Sequence, residues 1–184
     1  MGLWDDIVCV AMVGALLVAM PSDGFGKLGR PGDAAQKAWA AYTEAQRQCQ
    51  QELGDFLSSR RPDLKEIILA SRDLQLALIE RRSLEFNSLL VNHPERVVRD
   101  QGISRFSNFD WTDEDAKVLR RSNPDYEAAV RRVEVLRQRS EAHPLGAALR
   151  AAHQALAKDA GYQKIYERFE QKSEAAGKLL GGGR

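Results

Sequence analysis

Residue types that commonly build catalytic and metal centres are scarce in this chain. It contains two cysteines and three histidines, and no glutamate lies three residues before any histidine. The Glu-x-x-His pairing of bundle di-iron sites is therefore missing, and Cys49 has no partner at zinc-ligand spacing. A Gly-x-Ser-x-Gly elbow and glycine-rich phosphate-binding loops are also missing. The sequence predicts no catalytic residue, no metal and no cofactor, and we expect a protein that is not an enzyme.

The chain also lacks a strong charge of either sign. It carries 27 lysines and arginines against 26 aspartates and glutamates, for a formal net charge of +1. Because three of the acids precede residue 27, the remainder is only mildly basic. That balance does not by itself indicate a nucleic-acid partner.

Long apolar segments are scarce as well, and the one that exists lies at the N-terminus. The run from Ile7 to Met20 has 14 residues, and Pro21 begins a turn after it. This length is typical of a signal-peptide core and falls short of the roughly 20 residues of a bilayer-spanning helix. We expect residues 1–26 to be a signal peptide or N-terminal membrane anchor, followed by a linker at 27–32. The protein is then extracytoplasmic, either periplasmic or secreted.

The alternative is an uncleaved N-terminus that anchors the protein in the inner membrane. Residues before the run include Asp5 and Asp6 but no lysine or arginine, which a signal peptide normally has. Lys27 and Arg30 follow the run and favour a cytoplasmic location for that side. The site of cleavage, and whether Met1 is the true start, stay open.

The body of the chain is rich in helix-forming residues with helical periodicity. From Asp33 a heptad seam of alternating four- and three-residue steps predicts an amphipathic helix that packs against another. A second helix is predicted from Asp63 to Val91, after a break at Pro62. Two long helices joined by a short break most simply form an antiparallel hairpin. The seam residues are Ala35, Trp39, Tyr42, Gln46, Cys49, Leu53 and Phe56.

Shorter helices are predicted in the rest of the body. Thr112 is expected to cap one helix, and proline-containing breaks at Pro124 and Pro144 separate the helices that follow. The fold class is therefore all-α: a long antiparallel hairpin packed with three or four shorter helices in an irregular bundle. We assign this helical bundle domain to residues 33–180 and a disordered tail to residues 181–184.

One segment, Asp100 to Trp111, does not fit a helical pattern and carries three aromatic residues. Phe106, Phe109 and Trp111 are the candidate partner-binding residues, because aromatic side chains dominate interface hot spots. The competing interpretation, which we favour, is that they fold back and close one end of the bundle, since exposed aromatics promote aggregation.

Together these patterns favour a non-enzymatic, extracytoplasmic helical interaction module, such as an adaptor, scaffold or chaperone-like binder. Its partner is an unknown protein, and the heptad seam allows a homodimer. The membrane is involved only through residues 7–20, if they are not removed. A cytoplasmic nucleic-acid binder is a weaker alternative, because glutamates interrupt the arginine-rich helix and no nucleic acid is expected in an exported protein. The arginines are Arg120, Arg121, Arg131, Arg132, Arg137 and Arg139.

Overall fold

The computed structural model describes residues 31–97, 99 and 102–180, and this part of the chain is all-α without strands. The predicted all-α bundle is thus confirmed. The segments predicted at 1–26 and 181–184 lie outside the described residues, and of the predicted linker only residues 31 and 32 are described, as the start of a helix. The helices are α1 (Pro31–Arg60), α2 (Lys65–Asn92), α3 (Gly102–Ser107), α4 (Asp113–Ser122), α5 (Pro124–Glu141), α6 (Gly146–Leu156) and α7 (Ala160–Leu180).

The two longest helices, α1 and α2, form the predicted antiparallel hairpin. A short 3₁₀ turn at Pro62–Leu64 joins them. Leu57, near the end of α1, packs with Leu64 and Ile67 at the start of α2, whereas the start of α1 packs with the end of α2. The proline suits this position because the first residue of a helix has no intrahelical partner for its N–H group.

Helix α2 lies at the centre of the bundle and packs against both α1 and α5. Helix α1 in turn lies between α2 and α7, so the four longest helices are arranged in the order α7, α1, α2, α5. The short helix α3 rests on α7, and α4 packs beside α5. Because α2 packs against both α1 and α5, its apolar surface is broader than a single heptad seam.

Local capping explains where the shorter helices begin. Thr112 and Asp115 form a capping box at the start of α4, in which each side chain bonds the backbone N–H of the other residue. Asn123 caps α5 by accepting from the N–H groups of Asp125 and Tyr126, and Pro124 is the first residue of that helix. The cap predicted at Thr112 is confirmed.

Three groups of buried side chains form the core. One lies at the end of the hairpin where α1 begins, a second lies at the hairpin turn, and a third lies between α2 and α5. The first group is aromatic, and its rings form what we call the aromatic cluster: Trp39, Tyr42, Phe86, Phe106 and Phe109.

The segment before α4 differs from the expectation of irregular structure. Residues Gly102–Ser107 form the helix α3, which begins at Gly102 with a positive φ of 77°. The glycine and serines there do not favour a helix. Ile103, however, packs closely on Gly177 of α7, where an added Cβ would lie 3.2 Å from the Ile103 Cβ. Tertiary packing therefore outweighs local propensity in these six residues.

Candidate functional site

The three candidate partner-binding residues lie together at the aromatic end of the bundle. Phe106 is 0% and Phe109 4% exposed, and Trp111 is partly buried. Trp39 stacks on Phe86 with ring centres 4.2 Å apart, and both phenylalanines of the segment meet these rings at steep angles. Phe106 and Phe109 are thus packed inside this end of the bundle, as in the interpretation that the sequence favours. Of the three residues, only Trp111 is partly exposed.

A cation lies directly against the aromatic cluster. The guanidinium carbon of Arg82 is 3.8 Å from the centre of the Phe109 ring. The same guanidinium lies 3.4 Å from the buried carboxylate of Glu85, Nη1 to Oε2. Burial lowers the pKa of Arg82, and the Glu85 charge opposes that effect. Arg82 therefore joins helix α2, by charge as well as by packing, to the segment that carries Phe106, Phe109 and Trp111, which we call the aromatic segment.

Glu85 is the centre of a buried polar network. Its side chain is 4% exposed, Arg81 Nε lies 3.3 Å from Oε1, and the Tyr126 hydroxyl donates to Oε1 at 3.0 Å. Burial, with Glu85 adding to it, raises the pKa of Tyr126 to about 12. The Trp111 ring packs edge-on against the Tyr126 ring, with centres 6.2 Å apart. The Glu85 carboxylate thus connects α2 with α5, and Trp111 packs on the tyrosine that bonds it.

A second contact fixes the end of the aromatic segment. Both terminal nitrogens of Arg96 bond the Asp115 carboxylate, at 3.1 and 2.8 Å, and one of them also donates to the Asp110 carbonyl at 2.6 Å. Arg96 holds the pKa of Asp115 well below its usual range, and the Thr112 cap contributes to this. The bidentate pair joins the segment after α2 to the first turn of α4.

A third polar group lies at the opposite end, near the hairpin turn. His153 Nδ1 is 3.0 Å from the Tyr162 hydroxyl, which is 3.3 Å from the Tyr166 hydroxyl. The Cys49 thiol is buried nearby, and burial raises its pKa to about 11. A thiol with that pKa is protonated at neutral pH, so its chemistry here is that of a small apolar side chain.

The arginine-rich surface of α5 is locally neutralised. Arg131 pairs with Glu127 at 2.8 Å, and Arg132 pairs with Glu80 of α2 at 3.0 Å. Pairing reduces the positive charge that this surface presents to a polyanion. Among the residues that the structure describes, no cluster of three or more histidines, cysteines or carboxylates is placed to hold a metal ion. None of the described helices has the length and apolarity to cross a membrane.

Comparison with known proteins gave no match: no protein-family model, no curated protein and no solved structure is significantly similar to this chain.

The sequence pattern found the aromatic residues of the site but not the polar network behind them. Glu85 looks like a surface acid in the sequence, and only the fold brings Tyr126 to it from 41 residues away. Arg82 does leave a signal, because it interrupts the apolar stripe of α2 at a position that faces the core. A long cation in such a stripe points to a buried partner.

Proposed function

We propose that this protein is a non-enzymatic, extracytoplasmic helical interaction module that serves as an adaptor, scaffold or chaperone-like binder. The observation that carries the proposal is the position of Trp111. Trp111 is partly exposed, yet its ring packs edge-on against the ring of Tyr126. A tryptophan held in one orientation loses little entropy on binding, and tryptophan is enriched at interface hot spots.

The other two candidate residues act as the support of this surface. Phe106 and Phe109 are buried behind Trp111, and the Arg96–Asp115 pair fixes the segment at its end. A partner that contacts Phe106 or Phe109 directly has to displace them from the aromatic cluster. The rigid surface at Trp111 therefore comes first as a binding site, with Phe106 and Phe109 as its base.

The extracytoplasmic location rests on the apolar run from Ile7 to Met20. Its length supports a signal-peptide core, and the alternative is an uncleaved anchor favoured by Lys27 and Arg30 after the run. The N-terminal residue and cell fraction of the native protein distinguish these. A processed protein in the extracytoplasmic fraction supports the proposal, an intact protein in the membrane fraction supports the anchor, and a cytoplasmic protein contradicts both.

Site-specific crosslinking in cells tests the binding surface. A photoreactive phenylalanine analogue replaces Trp111 in one variant and Val135 in a matched control, since Val135 is 64% exposed on α5. We expect a discrete crosslinked species from position 111 and none from position 135. Equal crosslinking at both positions, or none at position 111, would contradict the proposed surface.

A homodimer is a separate part of the proposal. In the structure the seam residues Trp39, Cys49 and Leu53 are buried within the chain, so a second copy that used them would displace a neighbouring helix. Light scattering of the full chain measures the mass in solution. A monomer at all concentrations removes the homodimer and leaves the partner to be a different protein.

A further inference from the structure

Helix α6 is the least embedded part of the bundle. Leu149 and Ala152 are buried in the group of side chains at the hairpin turn, and Ala148 and Leu156 pack against that group while partly exposed. The main helix pairs, which are α1 with α7, α1 with α2, and α2 with α5, do not involve it. Helix α6 can therefore leave its place without separating the rest of the bundle.

His153 joins α6 to α7 by a side-chain hydrogen bond. Its Nδ1 atom is 3.0 Å from the Tyr162 hydroxyl of α7, and its ring meets the Tyr162 ring edge-on at 6.1 Å. In the neutral imidazole that carries its proton on Nε2, Tyr162 donates to Nδ1. A second proton on the ring makes Nδ1 a donor, and the Tyr162 proton then has to turn toward the Tyr166 hydroxyl, 3.3 Å away.

The surroundings of His153 disfavour a positive charge. The ring lines a cavity of about 30 Å³ that Arg72 of α2 also lines, together with uncharged Gln50 of α1 and Ser71 of α2. From α7 the ring faces the phenols Tyr162 and Tyr166, whose pKa values burial raises, so both are neutral. Among the described residues that line this cavity the cation is Arg72, whose guanidinium is paired with the Asp73 carboxylate at 3.0 Å.

We propose that helix α6 is an acid-sensitive latch, in which uptake of a proton by His153 releases α6 from the hairpin-turn end while the remaining helices stay packed. The charged imidazole loses solvation in the closed position, where its ring lies between α6, α7 and the cavity. In the open position water solvates it. Release exposes the surface that α6 covers at the hairpin turn, formed by Leu53, Leu57 and Ile68.

Linkage fixes the pH range of the latch. Burial lowers the pKa of His153 from the ordinary value of 6.5, so the closed form binds the proton less well than the open form. The closed form consequently loses stability as the pH falls below 6.5, and the loss ends below the lowered pKa of the closed form. Above pH 6.5 both forms are neutral at this residue and the opening equilibrium is constant.

Hydrogen exchange of the full chain tests the latch. We compare protection factors, which correct for intrinsic exchange, at pH 7.5 and pH 5.5. Amides of α6 should lose protection by up to about tenfold, the limit for one proton across this range, while amides in the middle of α1 should not change. The variant His153→Gln should remove the pH dependence, and the control His93→Gln, at an exposed residue after the end of α2, should retain it.

Three results would overturn the proposal: protection of α6 that does not depend on pH, a fall that persists in His153→Gln, or an equal fall in α1 and α6. If His153→Gln does not fold, NMR titration of the unmodified protein decides. A His153 pKa below 6.5 supports the latch, whereas a value at or above 6.5 overturns it.

Discussion

The guanidinium carbon of Arg82 lies 3.8 Å from the centre of the Phe109 ring, and this contact joins the central helix α2 to the aromatic segment. Arg82 also pairs with Glu85, so the cation is shared between an aromatic face and a buried carboxylate. The cation replaces part of the water that the Glu85 carboxylate loses on folding. The carboxylate and the Phe109 ring in turn replace part of the water that Arg82 loses.

The first prediction concerns this shared cation. Arg82→Met keeps the length of the side chain but leaves Glu85 with one fewer cation, so we expect a loss of about 2–4 kcal/mol in the free energy of unfolding. Adding Glu85→Gln should recover part of the loss, since the uncompensated buried charge is then gone. Urea unfolding of the single and double variants measures this. Strictly additive losses would show that the two residues do not interact.

The second prediction separates packing from binding in the aromatic segment. Phe109→Ala empties a buried position and should lower the free energy of unfolding by about 3–5 kcal/mol. Trp111→Ala removes a partly exposed ring and should cost less, while it should weaken binding of the partner that the crosslink at position 111 identifies. Val135→Ala, on an exposed face, should stay within about 0.5 kcal/mol. Equal losses for Phe109→Ala and Val135→Ala would contradict the packed position.

The helix boundaries were accessible from the sequence because their causes are local. Pro62, Thr112 and Pro124 each lie where a helix begins, for reasons that act within a few residues, so the sequence pattern alone predicted these breaks. Helix α3 was not accessible, because the contact of Ile103 with α7 that favours it joins residues distant in sequence. Elements stabilised by contacts between residues close in sequence could be predicted, whereas those stabilised by contacts between distant residues could not.

The candidate site divides in the same way. Phe106, Phe109 and Trp111 were found by residue type, since three aromatics in an irregular segment call for an explanation. Their burial was the favoured one of two interpretations. The role of Glu85 depends on Tyr126, which lies on another helix. The periodicity of α2 does not distinguish this buried glutamate from the acids that are exposed.

The third prediction is an acid dependence that passes through Asp115. Arg96 and the Thr112 cap lower the pKa of Asp115, so the ion pair stabilises the fold above the unfolded pKa near 3.8 and its contribution falls as the pH drops below that value. Asp115→Asn should therefore lower the free energy of unfolding at pH 7, and the difference from the unmodified protein should shrink at pH 3. Urea unfolding at both pH values measures it.

The matched control for Asp115→Asn is Asp113→Asn, an exposed residue in the same first turn of α4. It removes the same charge from the positive end of the helix dipole, which is worth about 0.3–1 kcal/mol at most. A loss at pH 7 no larger than that of the control would mean that the Arg96 pair and the capping box add nothing.

The fourth prediction tests the close contact between α1 and α7. A Cβ at Gly161 would lie 2.8 Å from Phe56 Cε2 and 3.1 Å from Asp159 Oδ1, whereas a Cβ at Gly146 would meet nothing nearer than 3.9 Å. Gly161→Ala should lower the free energy of unfolding by about 1–3 kcal/mol, because the clash exceeds the helix propensity that alanine gains. Gly146→Ala keeps that gain without the clash and should raise stability by up to about 1 kcal/mol. Thermal unfolding compares the two variants directly. If both variants were more stable than the unmodified protein, Phe56 would have room to move away from residue 161. The contact between α1 and α7 at this point would then not be close-packed.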